Sequence, residues 1–374
     1  MGPISRYTGM AALMAAAIAL PVLLSLPAGE AATPEPAACG AQSCPAGARL
    51  RAVYQGEPDS WPPAHIDEDI DYVELGALPE PGPAPDPALA ALGEQLFHDP
   101  ALSASGQISC ANCHSPELGF TDRLRTSFGH DRARGRRNAP TLLDKAGQTS
   151  FMWDGSAGSL AEQAVMPILN PEEMAADAFE LMNRLNADTG YRDAFATSFG
   201  QDTVTLAMVG EALAAFEATL HRTTSFDRFM RGDHDRLSDQ QILGLHLFRT
   251  TARCANCHMG PRLTDDEFHN IGLTYYGRQY EDLGRYTVTG DPADVGAFRT
   301  PSLRHVGETG PYMHNGLFPH LRGVVNIYAA GGPRPRPRPD QAGDPLFPKT
   351  SDLLHRLDLT PEERDALVAF LETL

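Results

Sequence analysis

One pentapeptide occurs twice in this chain and constrains its fold more than any other feature. Cys110-Ala111-Asn112-Cys113-His114 is repeated without change as Cys254-Ala255-Asn256-Cys257-His258. With six Cys and 13 His in 374 residues, chance alone would give about 0.003 Cys-x-x-Cys-His matches. The pattern is the attachment signature of c-type haem, in which the thiols bind the vinyl groups and the His binds the iron. The sequence therefore predicts two covalently bound haem c groups.

Two other kinds of site use closely spaced cysteines. A zinc site gathers four Cys or His ligands at one ion, whereas each motif here offers three contiguous ones. A redox-active dithiol needs no His after its second Cys. Neither alternative accounts for the whole pentapeptide.

The N-terminal sequence predicts export. Arg6 precedes an apolar run from Ala11 to Leu26, and Gly29-Glu30-Ala31 provides a small-residue cleavage site, so residues 1–31 are predicted to be a signal peptide. Pro21 interrupts a run that is already short for a bilayer, which disfavours a retained anchor. Covalent haem attachment agrees with export. We therefore expect a periplasmic protein with no stable membrane span after cleavage.

The remaining cysteines and the net charge add two expectations. Cys39 and Cys44 lie close together, and a local disulfide is the favoured interpretation in an oxidising compartment. A lipid anchor on Cys39 is the alternative, which its position far from the apolar run disfavours. The formal net charge of −18 argues against nucleic acid and against an anionic membrane surface.

Helical patterns dominate the rest of the chain. Short apolar patterns beginning at Leu92 and Leu243 precede the two motifs, and Val204 to Leu220 has the spacing of a long amphipathic helix. Ser159 can cap a helix that stops near Pro167. Thr360-Pro361-Glu362-Glu363 predicts a capped helix start.

These patterns define the expected architecture. Residues 32–88 are rich in Pro, Ala and Gly and predict an irregular N-terminal extension. We expect a mainly α fold with two cytochrome c-like haem domains and long loops. The first domain would span residues 89–235 and the second residues 236–374.

Six blocks outside the two motifs carry a more specific resemblance. They read Arg137-Asn138-Ala139-Pro140-Thr141-Leu142, Phe151-Met152-Trp153-Asp154-Gly155, Glu162-Gln163-Ala164, Pro167-Ile168-Leu169-Asn170-Pro171-Glu172-Glu173-Met174, Phe298-Arg299-Thr300-Pro301-Ser302-Leu303-Arg304 and Pro311-Tyr312-Met313-His314-Asn315-Gly316. In this order, over about Leu89 to Leu374, they resemble the bacterial dihaem cytochrome c peroxidase/MauG family. The resemblance implies that hydrogen peroxide reacts at the first haem, with His114 as its proximal ligand.

The resemblance also implies roles for three further side chains. Glu173 and Gln163 match polar residues above the first haem, and Trp153 matches a tryptophan between the two haems. A partly buried carboxylate can take a proton from one peroxide oxygen and return it to the other. From the residues alone, Glu173 could equally be a helix-start acid after Pro171, and Trp153 a core aromatic.

Two further residues are candidate iron ligands. The family's sixth ligand to the second haem falls fourteen residues after His314, at Tyr328. MauG-like members place Tyr there, and a phenolate is a hard anionic donor that stabilises oxidised iron. Met313 and Met259 are the alternatives. His130 matches a resting ligand of the first haem in conventional peroxidases, or is an exposed loop residue; both interpretations stay open.

The family resemblance also implies a metal site, a class of enzyme and a class of electron donor. Asn138, Thr309 and Pro311 match a calcium site built from hard oxygen donors. The implied enzyme is a MauG-like dihaem peroxidase that draws electrons through the second haem. Its donor would be a small redox protein, such as a cytochrome c or cupredoxin, or an oxidisable partner protein.

Two alternatives to this function stay open. One is a dihaem electron carrier without peroxide chemistry. The other is an oxidase that modifies one dedicated partner protein. MauG carries a Trp on its route to a protein substrate where this chain has Ala252, which argues against methylamine dehydrogenase maturation as the specific activity.

Overall fold

The computed structural model describes residues 46–374, where most of the regular structure is helical. Long irregular segments connect the helices, so the predicted mainly α fold is confirmed. The helices are α1 (Ala46–Tyr54), α2 (Pro87–His98), α3 (Cys110–Cys113), α4 (Leu160–Leu169), α5 (Ala178–Ala187), α6 (Thr189–Phe199), α7 (Leu206–Glu217), α8 (Ser225–Met230), α9 (Asp239–Arg249), α10 (Tyr286–Thr289), α11 (Leu321–Ala329) and α12 (Pro361–Leu371). Two short strands, β1 (Phe268–His269) and β2 (Phe298–Arg299), pair antiparallel.

The first motif lies beside a core formed by α2, α4, α5, α6 and α7. Asp86 caps α2 by accepting hydrogen bonds from two backbone N–H groups of its first turn. α2 and α7 cross at Gly93, where a Cβ atom would lie 1.9 Å from the carbonyl oxygen of Ala212. Only glycine permits so close a crossing. Phe97 and Leu213 are fully buried in this core.

The second motif lies beside a core in which α9 packs against α12 and α1. α9 and α12 cross at Gly244, where a Cβ atom would lie 2.0 Å from the carbonyl oxygen of Ala366. Gly93 and Gly244 hold the same place in two Leu-Gly-x-x-Leu-Phe patterns. The arrangement of helices around each motif is therefore repeated within the chain.

Several predicted helix ends are confirmed. Thr360 and Glu363 form the predicted reciprocal cap at the start of α12. α7 lies within the predicted range of Val204 to Leu220. α4 begins after Ser159 as predicted but ends at Leu169, two residues beyond Pro167. Pro167 removes one backbone donor without breaking the last turn.

The segment before α2 is more ordered than its composition indicates. The nine-residue helix α1 lies within the predicted irregular extension. Tyr54 and Trp61 are buried against the second core, with ring centroids 4.9 Å apart. Burial of these two rings offsets the low helix propensity of the surrounding sequence.

Other predictions fall outside what the structure describes. The signal peptide at residues 1–31 and the pair Cys39 and Cys44 precede residue 46. Between residues 46 and 374, no helix is long and apolar enough to cross a membrane. The domain limits at residues 89–235 and 236–374 stay predictions.

Candidate functional site

One cavity of about 540 Å³ reaches both Cys-x-x-Cys-His motifs. All six side chains that the haem interpretation requires line it: Cys110, Cys113, His114, Cys254, Cys257 and His258. The four thiols are unpaired. The two predicted attachment sites therefore open into a shared space.

The two motif histidines are held in the same way. His114 Nδ1 donates to the carbonyl oxygen of Phe120 and His258 Nδ1 to that of Leu263, both at 3.1 Å. Phe120 and Leu263 both adopt left-handed backbone conformations, with φ of 57° and 56°. Each Nδ1 is thus occupied by the backbone, which leaves Nε2 for a metal. Burial lowers the pKa of both rings and favours the neutral form that binds iron.

The local backbone around each motif is also alike. The backbone N–H of His114 donates to the carbonyl oxygen of Cys110, and that of His258 to Cys254, both at 2.9 Å. Each turn brings two thiols and one imidazole to the cavity wall. The donor set therefore fits two haem c groups, each attached by two thioethers and ligated by one His.

Glu173 and Gln163 both line this cavity, as the family resemblance implies. Glu173 follows α4, and its Oε1 accepts a hydrogen bond from Asn170 Nδ2 at 3.0 Å. Burial raises the pKa of the Glu173 carboxyl, which the Asn170 hydrogen bond opposes in part. Glu173 can therefore carry a proton at a higher pH than an exposed glutamate.

His130 lies near Glu173 but is not among the described residues that line the cavity. Its backbone N–H donates to the carbonyl oxygen of Glu173 at 2.7 Å. Its Nε2 lies 3.5 Å from an oxygen of the exposed Asp131 side chain. Its Nδ1 is buried and has no hydrogen-bond partner in the described part of the chain. The structure brings its neighbour Gly129, but not its imidazole, to the cavity wall.

Trp153 lines the cavity and is anchored by its indole N–H. Nε1 donates to the carbonyl oxygen of Asn138 at 2.9 Å. The ring of His314 lies edge-on to the indole, with 6.4 Å between centroids. His314 in turn stacks on Phe298 at 3.7 Å. Trp153 is therefore part of an aromatic cluster at the cavity wall.

Tyr328 lies on α11 with its side chain on the cavity wall. Burial raises the pKa of its phenol, and the nearby Cys257 and Cys254 thiols raise it further. Of the two alternative ligands, Met313 also lines the cavity, whereas Met259 does not. The Met259 sulfur accepts a hydrogen bond from the backbone N–H of Val73 at 3.4 Å. Tyr328 and Met313 thus both remain candidate ligands, because each lines the cavity that the second motif reaches.

The three residues predicted to bind calcium all line the same cavity. Asn138 is buried and donates its amide N–H to the carbonyl oxygen of Leu124 at 3.0 Å. The Thr309 hydroxyl donates to the carbonyl oxygen of His305 at 3.1 Å. Asn138 is distant in sequence from Thr309 and Pro311, and the structure brings all three to one cavity.

Sequence reasoning missed two titratable side chains on the cavity wall, Glu217 and Lys145, whereas His314 already belongs to a family block. Glu217 lies on the apolar face of α7, and burial raises its pKa to about 8. Burial lowers the pKa of Lys145 to about 8 and that of His314 to about 4. A charge on the apolar stripe of a predicted helix was the available signal for Glu217. Lys145 lies in an irregular segment, so its sequence carries no such signal.

A second missed feature lies beside the second motif. His269 on β1 lies 2.8 Å from Asp265, and these two side chains surround Cys257 closely enough to resemble a metal site. Burial disfavours a charged His269, but hydrogen bonds to Asp265 and Cys257 raise its pKa to about 10. Because Cys257 is an attachment thiol, this group belongs to the second haem site.

Comparisons with known proteins find the same family that the sequence blocks resemble. A model of the family described as "Di-haem cytochrome c peroxidase" matches residues 87–235. The methylamine utilization protein MauG of Methylorubrum extorquens is 39% identical over 303 residues, which are 80% of this chain and 81% of that protein. The cytochrome c551 peroxidase of Nitrosomonas europaea is 40% identical over 231 residues, covering 61% of this chain and 69% of that protein.

A solved structure is similar to most of the chain. It is a MauG-like protein associated with microbial copper homeostasis, with a TM-score of 0.69 and 31% sequence identity. The match covers 83% of this chain and 95% of the other.

Proposed function

The chain belongs to the di-haem cytochrome c peroxidase/MauG family, and we propose that it is a periplasmic, MauG-like peroxidase that reduces hydrogen peroxide. Its membership makes it a haem-dependent oxidoreductase. The observation that carries the proposal is the shared cavity, which joins both motifs with Glu173, Gln163 and Trp153. An electron carrier needs two haem sites but no buried acid beside one of them.

Peroxide would bind in the cavity opposite His114. A bound haem supplies a redox-active iron that can accept a peroxide oxygen. Glu173 would take a proton from one peroxide oxygen and return it to the other. Gln163 orients the peroxide through its side-chain amide. The overall reaction consumes one hydrogen peroxide, two electrons and two protons and yields two waters.

Electrons would reach this site through Trp153. The indole is fixed by its hydrogen bond to Asn138, so its distance to both motifs does not depend on a free rotamer. Tyr328 would bind the iron of the second haem through its phenolic oxygen. Its burial beside Cys254 and Cys257 supports this role. We propose that His130 leaves the first site open to peroxide, because its imidazole is off the cavity wall.

Two further parts of the proposal concern calcium and the donor. Asn138, Thr309 and Pro311 would hold Ca²⁺ through amide and backbone oxygens. The donor would be a cytochrome c, a cupredoxin or an oxidisable partner protein. The proposed periplasmic location rests on two arguments. Residues 1–31 resemble a signal peptide, and covalent haem attachment of this kind requires export.

Spectroscopy of the diferric holoprotein tests the proposal. We expect one five-coordinate high-spin haem and one six-coordinate low-spin haem. Peroxide should change both spectra, and a reductant should restore them with consumption of peroxide. Two low-spin haems whose spectra do not change with peroxide would identify an electron carrier instead.

A further inference from the structure

The loop from Thr274 to Asp282 carries three tyrosines at the protein surface. The rings of Tyr275 and Tyr280 are perpendicular, with centroids 6.1 Å apart. Tyr280 is 42% exposed, which is unusual for a large aromatic residue of this chain. Tyr276 points elsewhere, because its hydroxyl donates to Asp344 at 2.6 Å and its ring packs against Phe347.

Arg137, which is partly buried, connects this tyrosine loop to Asp154, the residue after Trp153. The backbone N–H of Asp282 donates to the carbonyl oxygen of Thr274 at 3.0 Å and closes the loop. Arg137 donates to both carboxylate oxygens of Asp282, at 2.8 and 2.9 Å. The same guanidinium donates to Asp154 at 2.5 Å. Asp154 directly follows Trp153, so the loop and the indole have a fixed relative position.

A second connection runs through Arg125. Its guanidinium lies 5.0 Å from the centre of the Tyr280 ring. The same group donates to the carbonyl oxygen of Asn315 at 3.4 Å. Asn315 follows His314, whose ring lies edge-on to Trp153. Tyr280 is therefore linked to the aromatic cluster at the cavity wall from two directions.

Arg125, which lies over the Tyr280 ring, belongs to a basic stretch of an otherwise acidic protein. Residues 123–137 contain six arginines and a single acid, Asp131, whereas the chain has a net charge of −18. Arg123, Arg132, Arg134 and Arg136 are exposed. On the tyrosine loop, Arg278 and Glu281 offset each other. A positive surface on an acidic protein attracts anionic molecules by long-range electrostatics.

We propose that Tyr280 is the surface site at which an anionic electron donor with an exposed phenol or indole is oxidised. This inference rests on the proposed peroxidase function and adds its substrate site. Tyr280 gives one electron inward through Trp153 and releases its phenolic proton to water. A donor phenol at the basic surface then gives one electron and one proton to Tyr280 and restores it. One hydrogen peroxide thereby oxidises two donor phenols to phenoxyl radicals and forms two waters.

Peptide mapping of trapped radicals tests the site directly. The holoprotein is treated with peroxide and a nitroso spin trap in the absence of donor, while the haem spectra are followed. We expect the adduct on Tyr280 and its loss in Tyr280→Phe. Tyr276→Phe is the matched control, because Tyr276 shares the loop but lacks the contact with Arg125 that leads to the aromatic cluster.

The same samples separate the two proposals. Haem spectra that do not respond to peroxide would overturn the peroxidase function, and this inference with it. Spectra that respond without an adduct on Tyr280, or with equal adducts on Tyr280 and Tyr276, would overturn this inference alone.

Two small phenols test the donor's charge. Para-hydroxyphenylacetate is anionic and tyramine is cationic, and both carry the same phenol. We expect a higher kcat/KM for the anion at low ionic strength and a ratio that approaches one as salt is added. Tyr280→Phe should lower kcat/KM for both, and Tyr276→Phe for neither. Equal kcat/KM values for the two phenols at low salt would contradict the proposal. So would a Tyr280→Phe variant with the same kcat/KM as the wild type.

Discussion

The imidazole of His314 lies edge-on to the indole of Trp153, at an interplanar angle of 71°. The two residues come from distant blocks of the sequence, and both line the cavity. The backbone N–H of Asn138 donates to the carbonyl oxygen of His314 at 2.7 Å, and the Asn138 carbonyl accepts the Trp153 N–H. Asn138 therefore joins both rings into one rigid unit at the centre of the proposed electron route.

Trp153→Phe should slow electron exchange between the two haem sites. Phenylalanine keeps a ring beside His314 but loses the hydrogen bond to Asn138 and is harder to oxidise. Stopped-flow absorbance should show a delayed response of the second haem to peroxide. The control is Trp61→Phe, which changes a tryptophan buried in the second core. If the second haem of Trp153→Phe responds to peroxide as fast as that of the wild type, the indole does not carry electrons between the two sites.

Tyr328→Phe should change the second haem from low-spin to high-spin. The substitution removes the phenolic oxygen and leaves the ring in α11. Electron paramagnetic resonance of the diferric protein measures the change. Tyr312→Phe is a suitable control, because Tyr312 also lines the cavity but donates its hydroxyl to the carbonyl oxygen of Val306. A persistent low-spin signal in Tyr328→Phe would favour Met313 as the ligand.

Glu173→Gln should slow the reaction with peroxide by about 10²–10⁴-fold, the usual contribution of general acid–base catalysis. Glutamine keeps the size and the contact with Asn170 but cannot accept a proton. Single-turnover mixing with peroxide measures the rate. Glu172→Gln is the neighbouring control. A rate within a few-fold of the wild type would return Glu173 to a structural role.

The pH dependence of the same rate provides a separate test of Glu173. Because burial raises its pKa, the base form appears only above the pH at which an exposed glutamate ionises. The rate should therefore rise with pH through the raised pKa and level off above it. Glu173→Gln should lose this rise.

Arg304→Met should destabilise the protein by about 3–5 kcal/mol, the usual effect of leaving one buried charge unpaired. Arg304 and Asp227 lie 2.9 Å apart, with side chains 2% and 1% exposed. Chemical denaturation of the holoprotein measures the loss. Lys349→Met breaks an ion pair whose side chains are 80% and 77% exposed, and should leave stability almost unchanged because solvent screens the pair. Equal effects of the two variants would contradict the expectation.

Calcium removal should weaken the response of the haem spectra to peroxide. A chelator would withdraw the ion from Asn138, Thr309 and Pro311, which line the same cavity as Trp153. Added Ca²⁺ should restore the response, whereas Mg²⁺ should not, since it requires a smaller octahedral site. A chelated protein with an unaltered response would argue against a functional calcium site.

The sequence predicted the parts of this molecule that depend on local patterns. Helix caps such as Thr360 and the apolar stripe of α7 require only neighbouring residues, and both are confirmed. The family blocks placed Glu173, Trp153 and Tyr328, which the fold brings to one cavity. Their catalytic roles stay predictions.

The unpredicted features depend on contacts between distant segments. α1 is ordered by burial of Tyr54 against the second core, which no local pattern indicates. The perturbed Lys145 and the exposed Tyr280 beside Arg125 arise from the paths of irregular loops. A sequence without strong periodicity does not determine those paths.

The hydrogen bonds to His114 and His258 end on main-chain oxygens, in two turns with the same left-handed geometry. Substitution of the Phe120 or Leu263 side chain leaves each acceptor in place as long as the turn persists. The hydrogen bond that orients each motif His is therefore insensitive to substitution of the side chain of its acceptor residue. The opposite faces depend on side chains such as Glu173 and Tyr328, so the chemistry of the two sites can differ there while the His that binds each haem stays in place.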